Sequence, residues 1–327
     1  MKKTNIYRKK HDKLLLLLVV LTISMWSYGI FLWLGNRDVS PPPTSLTTQS
    51  FEIDINVVQK PVDFNFENAH TIFSSSVDFN SQHALLINLD TNEVVFEHRA
   101  RERAFPASVT KIMTVLVGLE HATEELIPVE ADFNMLYLAQ ASMTGFASGE
   151  IRTLSEVLHG SLLSSGADAT STLAHHVAGS YEAFVSLMNE TAGRLGMYDT
   201  NFMNASGLHH ELHYTTAYDI GLLMAYVLNI PFLRELLSTP TYPFINSEGQ
   251  NALMQSILFR GLPDVYFDGG FIQGGKTGFT TPAGFCLASF ATNGINQYTL
   301  ITFGAPSGYP IGGHIQDALN IYSYFLR

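Results

Sequence analysis

The sequence predicts an α+β protein, in which an antiparallel five-stranded sheet carries a helical cluster and an N-terminal transmembrane helix precedes both. Three observations lead there. Two strand patterns lie just after residue 80, and helical patterns fill the middle of the chain. Three more strand patterns and one helix then close it, so early and late strands share one sheet. The third observation is an uncharged apolar run from Leu14 to Gly35 near the N-terminus.

That run reads LLLLLVVLTISMWSYGIFLWLG, and at about 1.5 Å per residue it spans roughly 33 Å, enough for a bilayer core. Lys2, Lys3, Arg8, Lys9, Lys10 and Lys13 precede it, which places the N-terminus inside and the rest of the chain outside. A cleaved signal peptide is the competing reading. Against it, the run exceeds the usual ~7–15 residues and no small-x-small pattern closes it. The expected organisation is a basic cytoplasmic tail over 1–13, a membrane anchor over 14–35, an extracellular linker over 36–80 and a compact domain over 81–327. The linker is expected from Pro41-Pro42-Pro43 and the polar run behind it, although Phe51, Ile53, Ile55 and Val57, and then Val62, Phe64 and Phe66, alternate as edge strands would.

Within the domain, His83–Leu89 and Glu93–Glu97 read as two strands joined at Asp90-Thr91-Asn92. An apolar helix starts beside Ser108 and ends near His121. Helical patterns follow over 153–164, 168–178 and 181–195, the last stopped by Gly196. A further one runs over 215–229 until Pro231 breaks it. Strands are expected over 271–280, 284–291 and 297–304, the last two joined by a tight turn at Thr292-Asn293-Gly294. The final helix puts Ile315, Ala318, Leu319, Tyr322 and Phe325 on one stripe.

The net charge is −11, and the six basic residues before Leu14 leave the remainder more acidic still. A nucleic-acid binder needs a basic footprint, so that class is excluded. The single cysteine, Cys286, lies in an apolar stretch and reads as core. His209-His210-Glu211-Leu212-His213 is not an H-E-x-x-H metal motif, and no metal or cofactor is expected.

The chemistry-bearing stretch is Pro106-Ala107-Ser108-Val109-Thr110-Lys111, a serine and a lysine one helical turn apart. A serine hydroxyl attacks only as it loses its proton to a neighbour. A lysine accepts that proton only if burial or a nearby cation lowers its pKa. The apolar run after Lys111 supplies burial, and Lys276 in Gly274-Gly275-Lys276-Thr277-Gly278 supplies a cation. Between them lies Ser164-Ser165-Gly166-Ala167-Asp168.

The order S-x-x-K, then a second serine, then K-T-G resembles the serine D-alanyl-D-alanine carboxypeptidases among the low-molecular-mass penicillin-binding proteins. The likeness covers about residues 80–310 and includes Asn204-Ala-Ser-Gly-Leu-His209, Thr215-Thr-Ala-Tyr-Asp219 and Gly278-Phe-Thr-Thr-Pro-Ala-Gly-Phe-Cys286. It implies the β-lactamase and transpeptidase type of fold and an acyl-enzyme on Ser108. Lys111 would be the base and Ser165 a relay. The N–H groups of Ser108 and Phe279 would form the oxyanion site, with Lys276, Thr277 and Gly278 holding the carboxylate of a peptidoglycan stem peptide ending in D-Ala-D-Ala. β-Lactam antibiotics would act as inhibitors. The apolar run over 14–35 and the basic residues before it imply a single-pass membrane protein with its catalytic domain on the outer face.

The sequence departs from the family at Ala167, where asparagine is usual, and Ala167→Asn is expected to improve or broaden turnover. Asp168 is expected to be an N-cap. Many relatives also carry a further β-domain and a C-terminal anchor, a role that residues 14–35 take here. Two alternatives stand beside the carboxypeptidase reading. One is a β-lactamase-like hydrolase, for which no segment places a deacylating carboxylate. The other is an inactive sensor of wall fragments.

Overall fold

The computed structural model describes residues 62–71, 76–308 and 312–327. The expected tail over 1–13, the anchor over 14–35 and the first part of the linker lie outside those residues. Among the described residues no single helix is long and apolar enough to cross a membrane.

The sheet has seven strands, not five. Its order is β1 (His70–Thr71), β3 (Glu93–His98), β2 (His83–Asn88), β11 (Gln297–Ala305), β10 (Gly284–Thr292), β9 (Gly270–Thr280) and β8 (Tyr266–Phe267). The five expected strands form its centre, and β1 and β8 are two-residue strands, one at each edge. A two-residue strand has no period to read, which is why both escaped the sequence pattern. The sheet is also not purely antiparallel, because β1 runs parallel to β3. The β10–β11 connection begins at Thr292 as expected but is longer than the tight turn expected there, because Thr292 pairs with Gln297.

Every residue of β2 is buried, because helices cover both sheet faces. On one face α9 (Gly313–Phe325) sets Ile315, Ala318, Ile321 and Tyr322 against Leu86, Leu287, Ala291 and Leu300. On the other, α6 (Ala217–Val227) packs on β2 and β11, so closely that a Cβ on Gly221 would lie 2.9 Å from Ile87. The helical cluster comprises α1 (Lys111–His121), α3 (Leu154–Leu162), α4 (Ala167–Ala178) and α5 (Tyr181–Arg194). Helix α1 is buried over its first nine residues. It crosses α4 at Gly118, where a Cβ would meet Leu173 at 2.3 Å. Thr153 and Glu156 form a capping box at the start of α3, and Thr216 caps α6.

Several short elements have no counterpart in the expected set: β4 (Leu126–Pro128) paired with β5 (Ile151–Thr153), α2 (Phe133–Leu138), the hairpin of β6 (Thr241–Ile245) and β7 (Asn251–Gln255), and α8 (Ile257–Gly261). Helix α7 (Pro231–Ser238) is instructive. Pro231 does end the preceding helix, and it also occupies the first turn of a new one, where its missing N–H costs nothing.

Of the expected linker, residues 62–71 and 76–80 are described, and they pack on the domain. Phe64 is buried, Asn65 bridges to Glu93, and Phe66 stacks on Tyr218. The buried Asp317 carboxylate accepts the N–H groups of Asn80 and Ser81 and the Ser81 hydroxyl, fastening this segment to α9.

Candidate active site

Ser108 sits in a 3-10 turn, Ala107–Thr110, that leads directly into α1. Ala107 has φ 46°, a left-handed conformation unfavourable for a residue with a Cβ. Two glycines make room around this turn. A Cβ on Gly207 would lie 2.0 Å from the Ala107 carbonyl oxygen, and one on Gly278 would lie 2.8 Å from the Ser108 nitrogen. The Lys276-Thr277-Gly278 segment of β9 and the Asn204–Gly207 turn therefore both touch the serine's backbone.

Lys111 Nζ donates to Ser108 Oγ at 3.1 Å and also to the Ser206 carbonyl. The lysine is buried while the serine is half-exposed. Burial first, and then the charge of Lys276, hold Lys111 well below the ordinary lysine range, against an opposing pull from Asp168. Lys276 is equally buried, which lowers it to about 7, and its Nζ donates to the Thr277 carbonyl at 2.8 Å. Burial is the only cause of the shift at Lys276.

The Ser206 carbonyl is held in place by a turn that closes on itself. Asn204 Oδ1 accepts the N–H groups of Ser206 and Gly207, and Asn204 Nδ2 donates to the Leu208 carbonyl. Thr114, one turn along α1 from Lys111, donates its hydroxyl to the Ala205 carbonyl at 2.6 Å. Nothing in the sequence identified these backbone acceptors, although Asn204-Ala-Ser-Gly207 was legible as a turn.

Ser165 follows α3 with φ 56° and is buried. Among the described residues no hydrogen bond joins its hydroxyl to Lys111, whose Nζ is taken by Ser108 and Ser206. Ala167 begins α4 and donates its N–H to the Ser142 carbonyl at 2.7 Å. Its side chain is only 1 % exposed, which leaves no open space for an asparagine amide and runs against the expectation that Ala167→Asn would help.

Asp168 is not the N-cap; Gly166 is. The fully buried Asp168 carboxylate instead accepts four backbone N–H groups, those of Thr144 and Ala169 on Oδ1 and those of Gly145 and Phe146 on Oδ2. It fastens the 144–146 loop beside Ser165.

Phe279, directly after the Lys-Thr-Gly run, is half-exposed and packs on Phe285, and the His314 ring lies flat on Phe285 at 4.9 Å. Burial and the nearby Lys276 charge lower His314 to about 4, and its Nδ1 has no partner among the described residues. Spacing alone did not single out this histidine.

A serine backed by a buried, depressed lysine at a helix start, with a second buried lysine on the adjoining strand, is the arrangement expected of a serine–lysine site of the penicillin-binding type. The fold agrees. The crystal structure of the Streptomyces K15 DD-transpeptidase superposes with a TM-score of 0.68 at 22% identity, covering 76% of this chain and 98% of that one. A D-alanyl-D-alanine carboxypeptidase from Mycobacterium tuberculosis H37Rv gives 0.66 at 25% identity, covering 80% and 95%.

The chain belongs to the peptidase S11, or D-alanyl-D-alanine carboxypeptidase, family, whose sequence profile matches residues 69–307. It is 33% identical over 236 residues to the D-alanyl-D-alanine carboxypeptidase DacF of Bacillus subtilis, covering 71% of this chain and 59% of DacF. To the D-alanyl-D-alanine endopeptidase of Escherichia coli it is 30% identical over 269 residues, covering 77% of this chain and 76% of that protein. The match thus spans about three fifths of DacF and three quarters of the endopeptidase.

Proposed function

We propose that this protein is a membrane-anchored serine D,D-carboxypeptidase that removes the terminal D-alanine from peptidoglycan stem peptides. The observation that carries the reading is the 3.1 Å contact between Ser108 Oγ and a buried Lys111 held below its ordinary pKa. In the proposed reaction Ser108 attacks the penultimate D-Ala carbonyl as its proton passes to Lys111. The N–H groups of Ser108 and Phe279 receive the oxyanion, and Lys276 with Thr277 holds the terminal carboxylate. D-Alanine leaves with a proton, and water then hydrolyses the ester on Ser108. Ser165 joins the relay once a leaving group is present. β-Lactams acylate the same serine. The anchor over 14–35 keeps the catalytic domain on the outer face of the cell membrane, where this substrate lies.

A second reading, an endopeptidase that cuts D-alanyl cross-links, draws support from the even coverage of the Escherichia coli endopeptidase. Both activities are read in one experiment on the purified chain, with Ser108→Ala as control. Release of free D-alanine from a D-Ala-D-Ala peptide supports the carboxypeptidase. Cleavage of a cross-linked muropeptide dimer without that release supports the endopeptidase, and binding with neither product makes the chain a sensor.

A further inference from the structure

His213 entered the sequence only within a histidine cluster dismissed as a metal motif. The fold buries it at 2 % exposure against the start of α1, while His209 and His210 stay exposed. Its Nδ1 accepts the Met203 N–H at 3.1 Å, so in the neutral ring the proton sits on Nε2, which donates to Thr110 Oγ1 at 2.8 Å. Burial and the neighbouring His210, His209 and Lys111 hold the ring neutral, with a pKa of about 3. A protonated ring would lose the Met203 bond.

Thr110 is the residue between Val109 and Lys111, fully buried, inside the serine-to-lysine turn. Met203 immediately precedes Asn204, whose turn presents the Ser206 carbonyl to Lys111 and brings Gly207 against the Ala107–Ser108 peptide. One imidazole therefore ties together the two chain segments, 95 residues apart, that meet at Lys111 Nζ. Phe202 packs edge-on against the ring at 5.7 Å and limits its rotation.

We propose that His213 is a positioning residue for the Ser108–Lys111 pair, acting through Thr110 and the Asn204–Gly207 turn. The proposal rests on the serine–lysine reading of the site, but not on any particular peptide substrate. His213 touches no reacting atom. It fixes the separation between the lysine and the carbonyl that orients it, and a misplacement near 1 Å at such a pair is worth about 100-fold in rate.

The test measures the rate at which labelled penicillin acylates Ser108 in wild-type protein and in His213→Ala, His213→Gln and His83→Gln, alongside the melting temperature of each. His83 is a comparably buried histidine on β2 whose ring, among the described residues, bonds the Arg99 carbonyl, and it controls for the general cost of altering a buried ring. Glutamine at 213 can still donate to Thr110 from its amide. The expected result is a loss of about 100-fold in His213→Ala at saturating penicillin with little change in half-saturation, recovery to within about 10-fold in His213→Gln, and a wild-type rate in His83→Gln. Wild-type acylation by folded His213→Ala overturns the proposal. So does a loss matched in His83→Gln, or one that Gln fails to recover in a folded protein. D-Alanine release by the wild-type chain is scored separately, so a chain that is acylated but releases none contradicts the carboxypeptidase reading and leaves this comparison intact.

Discussion

The two sides of the cleft are built differently. On the Ser108 side the buried polar side chains of α1 and the turn before it are tied by hydrogen bonds. Lys111 bonds Ser108 and Ser206, Thr114 bonds Ala205, and Thr110 bonds His213. On the Ser165 side the serine's hydroxyl makes no bond to Lys111, and the side chain at 167 is a buried methyl. What order exists there comes from Asp168 gripping the backbone of residues 144–146. One half of the site is preorganised by side-chain bonds, while the other is shaped by a loop held from behind. In the proposed reaction nucleophile activation falls to the first half and leaving-group handling to the second, so substitutions on the two sides are expected to have different signatures.

The largest effect is expected at Lys111. Lys111→Ala removes the base and lowers the rate of Ser108 acylation by about 10³-fold, without a comparable change in binding. Stopped-flow acylation by penicillin measures it, and a loss below tenfold would mean that another group takes the proton. Asp168→Asn probes the opposite half. Its amide would present a donor to the Gly145 and Phe146 N–H groups, so two bonds fail and urea denaturation shows about 3 kcal/mol lost. An unchanged urea midpoint would show that the loop is held by something else. Ala167→Asn overfills a buried position and costs about 1–3 kcal/mol in the same assay. A gain in turnover with no loss of stability would restore the sequence-based expectation.

The last probe is a pH trend. Lys276 titrates at about 7 in the folded protein, against about 10.4 in an unfolded chain. Between those values the unfolded state binds more protons, so stability rises with pH through that window and is least below it. Lys111 acts in the same direction. Lys276→Met removes one of the two contributions. The melting temperature of the wild type therefore gains on the variant between pH 7 and pH 9.5, and a constant difference would mean that Lys276 is not depressed.

Much of this architecture was legible in residue order. The long strands β2, β3, β9, β10 and β11 and the helices α1, α3, α4, α5, α6 and α9 carry periodic patterns long enough to read. The edge strands β1 and β8 are too short for a period. Strands β6 and β7 alternate exposed and less exposed positions, but apolar residues such as Ile245 and Leu253 take exposed ones, so their hydropathy does not alternate. At the site, Ser108, Lys111 and Lys276 were legible because their spacing and context reflect local chemistry. The Ser206 carbonyl was not, because any residue type supplies a backbone oxygen and only the fold aims it. Asp168 read as an N-cap because its neighbours are helical, whereas its bonds run mainly to a loop more than twenty residues earlier. His213 was visible as a histidine but not as a brace, since its partners Thr110 and Met203 are joined to it only by folding.

In the proposed reaction Ser108 is the acylated nucleophile. Peptide mapping by mass spectrometry, after the purified chain has reacted with penicillin, tests this directly. The account predicts one covalent adduct per chain, on the peptide bearing Ser108, and none in Ser108→Ala. An adduct on Ser165 or elsewhere, or one that survives in Ser108→Ala, would contradict it.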